Sequence, residues 1–403
     1  RPGEGCAPAM NASTPAAFEI AIPERQLEDL RGRLERARWA SDPGNASWRY
    51  GTNGAYLRTL VDYWLGGYDW RQHERAINAY PQYRVSIDGL PIHFLHVKGK
   101  GKKPLPLIRS HGWPWTFWDF EKVIGPLSDP AAHGGDADDA FDVVVPSLPG
   151  FGFSTPLERT GMNWWKTADL WAVLMRDVLG YERFCAHGGD WGCLITLQLG
   201  HRYPELLHGV HVTGAAPLDS FSGDRPWSIG GMVESMSAGS DEREAMIAWE
   251  RKFASHVAVQ HLDPQTLAFA LHDSPLGLCA WLIERRRSWS DCRGDVETRF
   301  SKDDLLTSTM LYWLTDSFVT SARFYQEAGA EPWRPDHDRL PVVEAPTGIT
   351  LFEPDKPPGD MAWTEGYYNR RLLRVHPSGG HFAPAEEPEA LVDDLRTMFR
   401  PDR

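Results

Sequence analysis

Six short runs of apolar residues, separated by stretches with helical spacing, organise most of the chain. Short buried strands that alternate with helices are typical of a mostly parallel sheet whose two faces are both covered. The pattern therefore predicts an α/β fold. The six predicted strands are residues 104–109, 141–146, 183–187, 207–212, 347–352 and 373–376.

The segment between the fourth and fifth runs, residues 215–341, has a helical rather than an extended pattern. It is too long for a simple crossover between two parallel strands. We therefore expect an inserted helical lid at this point of the fold.

The chain before the first run has a pattern of its own. From Pro23 leucines recur on one helical face, with proline and acidic residues at the start, and this predicts an amphipathic helix. A second helix is predicted over residues 56–70. Residues 83–97 alternate between apolar and polar on both sides of Asp88–Gly89, which predicts a β-hairpin.

The charge balance excludes one class of partner. The 403 residues carry a formal net charge of −13. Binding of nucleic-acid phosphates needs clustered Lys and Arg, so we expect no nucleic-acid partner. The two short basic runs, residues 98–103 and 285–287, are interpreted as a solvated loop and a solvated helix face.

Cysteine use and hydropathy bear on the compartment. The five Cys include no C-x-x-C pair, and Cys185 and Cys193 fall in a predicted buried strand and helix. We expect reduced thiols. No run of about 18 apolar residues occurs, and residues 1–17, expected to be poorly ordered, hold no apolar signal core. The sequence predicts a soluble cytoplasmic protein without a membrane partner, and leaves a homo-oligomer open.

The strongest chemical signal is the segment Gly188-Gly189-Asp190-Trp191-Gly192, where a predicted strand runs into a helix. Glycines on both sides of one central residue let a strand and a helix approach closely around a strained turn. Such a nucleophile elbow usually presents Ser, and here it presents Asp190. The alternative is a tight turn with an incidental acid.

A carboxylate nucleophile yields an ester, whose hydrolysis needs a base and a group that orients the base. His381, in Gly-Gly-His-Phe after the last predicted strand, is the strongest base among the 15 His. Glu353 and Asp355 are the upstream acids at a strand end. The order nucleophile, acid, histidine is that of α/β-hydrolase triads, and the residues alone leave the two acids nearly equal.

The segment Ser110-His111-Gly112-Trp113-Pro114 follows the first strand of the predicted sheet. In a fold with this elbow, that loop supplies one backbone N–H to an oxyanion hole. The backbone N–H groups of Trp113 and Trp191 are the expected pair. A plain turn is the alternative.

Three motifs together resemble those of the microsomal-type epoxide hydrolases, in their order and at plausible separations. They are His-Gly-Trp-Pro at 111–114, Gly-Gly-Asp-Trp-Gly at 188–192 and Gly-Gly-His-Phe at 379–382. The resemblance begins near residue 18 and includes Ala-Glu-Glu-Pro at 385–388. It implies an α/β-hydrolase fold and epoxide hydrolysis, in a bacterial form without the family's membrane anchor. The implied divisions are an epoxide-hydrolase N-terminal region over 18–100, a core over 101–214 and 342–403, and a helical lid over 215–341.

The resemblance also implies site residues. It places the acid of the triad at Asp355 rather than at Glu353. In this family two lid tyrosines assist the departing epoxide oxygen, and Tyr325 matches the second of them. The position that matches the first holds His256, which departs from the family pattern. His256 either donates an N–H in place of the phenol or is an unrelated lid histidine.

The implied function is therefore conversion of a small-molecule epoxide to a vicinal diol through an Asp190 ester, with no metal or organic cofactor. The Trp-rich lid and the segment Trp113-Pro114-Trp115-Thr116-Phe117-Trp118 favour a bulky or aromatic substrate, and abundant Arg with scarce Lys suggests a bacterial role in secondary metabolism. One alternative is a haloalkane or haloacid dehalogenase of the same fold. Another is a catalytically silent ligand-binding protein.

Overall fold

The computed structural model describes residues 9–229 and 236–403. The strands are β1 (Ala16–Ala17), β2 (Gln82–Ile87), β3 (Leu90–Val97), β4 (Leu105–Ser110), β5 (Phe141–Pro146), β6 (Phe184–Gly189), β7 (Leu207–Thr213), β8 (Val343–Phe352) and β9 (Tyr368–His376). They form one sheet in the order β1-β2-β3-β5-β4-β6-β7-β8-β9. Strands β4 to β9 pair in parallel, whereas β1, β2 and β3 join antiparallel. The predicted mostly parallel sheet is confirmed.

The central strands explain the uninterrupted apolar runs. Every residue of β4, β5 and β6 is buried. Strands buried on both faces need no alternation of polar and apolar residues. The core helices are α4 (Glu121–Ser128), α5 (Trp164–Val173), α6 (Trp191–Arg202), α13 (Thr364–Tyr367), α14 (Ala383–Glu386) and α15 (Pro388–Phe399).

The predicted hairpin is present as β2 and β3, and it is part of the same sheet. Asp88 and Gly89 both have positive φ, 50° and 77°, as a two-residue turn that matches the twist of its strands requires. Strand β3 then pairs with β5. The N-terminal region therefore extends the main sheet, a contact that its own pattern does not reveal.

The N-terminal helices are α1 (Glu24–Glu35), α2 (Gly54–Gly66) and α3 (Trp70–Asn78). The prediction of one helix over residues 56–70 is wrong, because the segment is broken in two. Helix α2 ends at the glycine pair 66–67, and the side chain of Asp69 caps the start of α3 by accepting the Arg71 N–H.

The sequence predicts that residues 1–17 are poorly ordered. Residues 1–8 of this segment lie outside the described residues. Its described part follows the sheet edge, where Ser13 N–H donates to Ser86 O at 2.9 Å and Ala16 pairs with Arg84.

The described chain between β7 and β8 contains a set of helices, which are called the lid below. They are α7 (Asp241–Phe253), α8 (Ser255–Leu262), α9 (Pro264–Asp273), α10 (Pro275–Trp289), α11 (Lys302–Leu314) and α12 (Phe318–Ala330). No single helix of the described chain is long and apolar enough to cross a membrane. Helices α9 and α10, bent by 118° at their junction, pass that test as a pair.

The interpretation of the basic run 285–287 as a solvated helix face is wrong for two of its residues. Arg285 and Arg286 are 4% and 2% exposed. The Arg286 guanidinium forms a buried ion pair with Asp119, at 2.5 Å, and lies 4.2 Å from the centre of the Phe382 ring. The run faces inward because this side of α10 packs on the core.

Candidate active site

A strained turn presents Asp190 where β6 ends and α6 begins. Asp190 has φ 55° and ψ −127°, a conformation that L-residues rarely adopt. Glycines on both sides are required by space. A Cβ at Gly188 would overlap the Gly192 carbonyl, and a Cβ at Gly192 would overlap the Ser110 carbonyl at the end of β4. The close packing of β4, β6 and α6 therefore forces the side chain of Asp190 out over the sheet edge.

Two backbone N–H groups bind the same oxygen of Asp190. Trp113 N–H and Trp191 N–H donate to Oδ1 at 2.8 and 2.7 Å. Trp113 reaches this position because the preceding residue, Gly112, has no side chain. A Cβ at Gly112 would overlap the Asp190 carboxylate. The predicted pair of donors thus converges on one oxygen, as an oxyanion hole requires.

His381 lies between two carboxylates. Its Nε2 is 3.0 Å from Asp190 Oδ2, and its Nδ1 is 3.4 Å from Asp355 Oδ1. Burial lowers the pKa of His381, but the charge of Asp355 and the hydrogen bond to Asp190 outweigh burial and raise the pKa from 6.5 to about 10. His381 is therefore an imidazolium near neutral pH.

The lid helix α7 anchors the loop that carries Asp355. Trp249 Nε1 donates to the Asp355 carbonyl at 3.1 Å, and Lys252 Nζ donates to the Pro354 carbonyl at 3.0 Å. Glu353 instead ends the pairing of β8 and β9, through its N–H and the His376 carbonyl. Of the two acids, the structure brings Asp355 to the histidine.

Two lid side chains complete the cluster above Asp190. His256 Nε2 lies 3.0 Å from the Tyr325 hydroxyl. The Tyr325 ring packs on the Trp191 ring, with 4.7 Å between centroids, and the His256 ring stacks on the Trp113 ring at 5.0 Å. Burial raises the pKa of Tyr325 well above 10 and lowers the pKa of His256 well below 6.5. Both side chains are therefore neutral near neutral pH.

The structure thus brings together the seven residues that the sequence singled out. They are Trp113, Asp190, Trp191, His256, Tyr325, Asp355 and His381. Five of them follow the carboxyl ends of parallel strands β4, β6, β8 and β9, which meet at one edge of the sheet. The lid supplies His256 and Tyr325 from α8 and α12.

Sequence reasoning missed two residues beside His381. The Trp289 ring lies 5.0 Å from the His381 ring, and the Trp289 carbonyl accepts the His381 N–H. Glu386 is buried, and its carboxylate accepts the N–H groups of Phe382 and Asp291. Burial raises the pKa of Glu386 to about 7. The only sequence signal for Glu386 was its place in Ala-Glu-Glu-Pro.

No group of three or more His, Cys, Asp or Glu side chains in the described parts of the chain is arranged to hold a metal ion. Four cysteines are described, and Cys185, Cys193, Cys279 and Cys292 are all buried free thiols.

The fold and the site define an α/β-hydrolase-fold enzyme that carries a carboxylate at its elbow. Comparisons with known proteins agree. The model of the alpha/beta hydrolase fold matches residues 106–241, and that of the epoxide hydrolase N terminus matches residues 15–120.

Similar proteins place the chain more narrowly. Epoxide hydrolase 1 of Oryctolagus cuniculus is 34% identical over 405 residues, covering 94% of this chain and 87% of the relative. The solved epoxide hydrolase of Aspergillus niger superposes with a TM-score of 0.78 at 27% identity, over 96% of this chain and 97% of that one. The juvenile hormone epoxide hydrolase of Bombyx mori superposes with a TM-score of 0.76 at 26% identity, over 98% and 97%. The chain belongs to the epoxide hydrolase family and is an epoxide hydrolase, so the predicted fold and family are confirmed.

Proposed function

We propose that this epoxide hydrolase opens its substrate through a covalent ester on Asp190 and then hydrolyses that ester. The observation that carries the proposal is the different surroundings of the two oxygens of one carboxylate. Oδ1 accepts two backbone N–H groups, at 2.8 and 2.7 Å, whereas Oδ2 lies 3.0 Å from His381 Nε2. Oδ1 is held as a future oxyanion, and Oδ2 is left to attack.

In the first step Oδ2 of Asp190 forms a bond to one epoxide carbon, and the bond from that carbon to the ring oxygen breaks. The ring oxygen takes the proton of the Tyr325 hydroxyl. The raised pKa of buried Tyr325 supports this role, because the phenol is protonated before the reaction. In the tautomer that carries its proton on Nε2, neutral His256, 3.0 Å away, donates to the phenol oxygen and leaves the phenol proton free for the substrate. His256 thus supports Tyr325 rather than replacing a second phenol.

In the second step water adds to Cγ of the Asp190 ester. His381, which released its imidazolium proton to the solvent once the ester had formed and regains one after the diol leaves, takes a proton from the water through Nε2, and the negative charge moves to Oδ1, which the Trp113 and Trp191 N–H groups stabilise. The bond from Cγ to Oδ2 then breaks, and the departing oxygen takes the proton from His381. The product is a vicinal diol. The second proton of the water, left on the regenerated carboxyl group, returns to Tyr325.

The charge of Asp190 determines at which step His381 can act as a base. In the free enzyme two carboxylates raise the pKa of His381 to about 10. Formation of the ester removes the charge of Asp190, while the burial that lowers the pKa remains. The imidazole therefore becomes easier to deprotonate at the step that needs a base. Asp355 stabilises the imidazolium that forms.

The rings around the cluster support a bulky or aromatic epoxide as the substrate. Trp113, Trp191 and Trp289 are buried within the same cluster as His256 and Tyr325. Flat apolar faces favour flat apolar substituents. A role in secondary metabolism and a cytoplasmic location stay predictions.

One turnover in oxygen-18 water tests the mechanism. Enzyme in excess over an aryl epoxide is quenched after one cycle, and the diol and the peptide that contains Asp190 are analysed by mass spectrometry. We expect the label in Asp190 and not in the diol, because the diol takes Oδ2. Label that enters the diol directly in the first cycle would refute the ester. Chloride release from haloalkanes at a higher kcat/KM than epoxide opening would favour the dehalogenase alternative.

A further inference from the structure

The turn that carries His381 is interlocked with the end of the lid helix α10. We name residues 379–382 the base turn and residues 289–291 the lid end. His381 N–H donates to the Trp289 carbonyl at 2.9 Å, and Gly379 N–H donates to Asp291 Oδ2 at 3.1 Å. A Cβ at Gly380 would lie 2.7 to 2.8 Å from backbone atoms of all three lid-end residues. The two segments are therefore in backbone contact, with no room for a side chain between them.

One buried carboxylate bridges the two segments. Glu386 Oε2 accepts the N–H of Phe382 at 2.9 Å, directly after His381. Its Oε1 accepts the N–H of Asp291 at 2.7 Å, at the lid end. Glu386 is 8% exposed. Water therefore has little access to replace its carboxylate as the acceptor of these two backbone N–H groups. Above the Glu386 pKa of about 7 this acceptor is charged, and a charged acceptor that binds two buried donors makes stronger hydrogen bonds than a neutral one.

Arg299 holds the other side of the lid end. Its Nε donates to the Asp291 carbonyl at 2.8 Å, and its guanidinium also contacts Asp291 Oδ2 at 2.9 Å and Glu387 Oε1 at 3.0 Å. Asp291 is therefore held by Arg299 and by Glu386. The lid end is fixed to the segment that follows the base turn, residues 386–387, from two directions.

We infer that Glu386 is a positioning residue that couples the lid to the general base, by fixing the base turn against the lid end. This inference rests on the covalent mechanism proposed above, because it concerns the step that consumes the ester. Ester formation depends on Asp190 and Tyr325, neither of which contacts Glu386. Ester hydrolysis depends on where His381 Nε2 meets the water, and a displacement of about 1 Å at a catalytic group can cost about a hundredfold in rate.

The test compares Glu386→Gln with Glu389→Gln, the same change at an exposed position three residues later. The glutamine at 386 offers one oxygen and one NH₂ to two N–H donors, so one hydrogen bond is lost. Enzyme in excess is mixed with an aryl epoxide that the wild type turns over, beginning with styrene oxide. Acid quenching and intact-protein mass spectrometry then follow the adduct on Asp190 with time.

We expect Glu386→Gln to form the adduct within about twofold of the wild-type rate and to hydrolyse it about ten to a hundred times more slowly. The adduct then accumulates, and kcat and KM fall together, because hydrolysis limits turnover. Glu389→Gln should match the wild type in both steps. Wild-type enzyme that turns over without any adduct would refute the covalent mechanism instead, so the two failures are distinguishable.

Two results would overturn the inference itself. Normal hydrolysis of the adduct in Glu386→Gln would show that the bridge does not position His381. An equal loss of both steps with a lower Tm would show a purely structural role. If Glu386→Gln does not fold, Arg299→Lys serves as the test variant. This change weakens the contacts of the lid end and replaces no residue of the base turn. There too we expect slower hydrolysis with unchanged adduct formation, and unchanged hydrolysis would count against the coupling.

Discussion

Replacing Asp190 with Asn tests how strongly the nucleophile controls the base. Asn keeps the size of the side chain and one oxygen for the two backbone donors, but it carries no charge. In the wild type, burial lowers the pKa of His381, and Asp355 together with Asp190 raises it to about 10. The variant keeps the burial and Asp355. The pKa of His381 should therefore fall.

The magnitude follows from the geometry. Nε2 of His381 lies 3.0 Å from Asp190 Oδ2, and an opposite charge at such a distance shifts a pKa by about 1 to 3 units. The variant should therefore have a His381 pKa of about 7 to 9. Each unit corresponds to about 1.4 kcal/mol, so the charge of Asp190 stabilises the imidazolium by about 1 to 4 kcal/mol.

The assay is an NMR titration of the imidazole signals, with His381→Gln to assign the signal of His381. Stability gives a second measurement. Because the folded pKa lies above 6.5, the stabilising contribution of the ion pair is complete below pH 6.5 and is lost as the pH rises through about 10. In Asp190→Asn the loss should occur at lower pH, as urea unfolding between pH 6 and 10 would show. A His381 pKa that stays near 10 in the variant would refute the reasoning and leave Asp355 as the sole cause.

Three further predictions concern other contacts. Tyr325→Phe should slow ester formation about 10²- to 10⁴-fold in single-turnover kinetics, whereas Tyr50→Phe, at an exposed tyrosine, should not. Equal rates of ester formation in Tyr325→Phe and the wild type would show that the Tyr325 phenol takes no part in the first step. Arg286→Met breaks a buried ion pair and should lower the free energy of unfolding in urea by about 3 to 5 kcal/mol, and Arg25→Met, at an exposed arginine, by less than about 0.5 kcal/mol; similar losses would contradict the role of burial. Gly112→Ala should reduce kcat at least about a hundredfold, because its Cβ would overlap the nucleophilic carboxylate, and full activity would show that the loop can yield.

Local pattern was sufficient for most of the elements. The six apolar runs correspond to β4 to β9. In β4 to β8 the runs follow from burial on both faces of the sheet, whereas most of β9 is partly exposed. The elbow at Asp190 was readable because a close approach of strand and helix demands glycine on both sides of the turn. The prediction of one helix over residues 56–70 was wrong because an apolar periodicity can continue across a short break. At this break the glycine pair 66–67 ends one helix, and the Asp69 cap starts the next.

Contacts between distant segments could not be predicted from the sequence pattern. The addition of the hairpin to β5 and the burial of Arg285 and Arg286 both depend on which surface lies opposite, and a local pattern does not contain that information. Glu386 looked like one acid among many until the fold placed two backbone N–H groups, from residues 291 and 382, at its oxygens.

The sequence by itself determined the kinds of chemistry available, because the nucleophile, the histidine, the tyrosine and the glycines are chemical identities at recognisable turns. Only the tertiary structure decided between Glu353 and Asp355 on geometric grounds, brought His256 to the Tyr325 hydroxyl and joined the lid end to the base turn. The physical reason is that hydrogen bonds and ion pairs act over about 3 Å, whereas the residues concerned lie tens of positions apart along the chain.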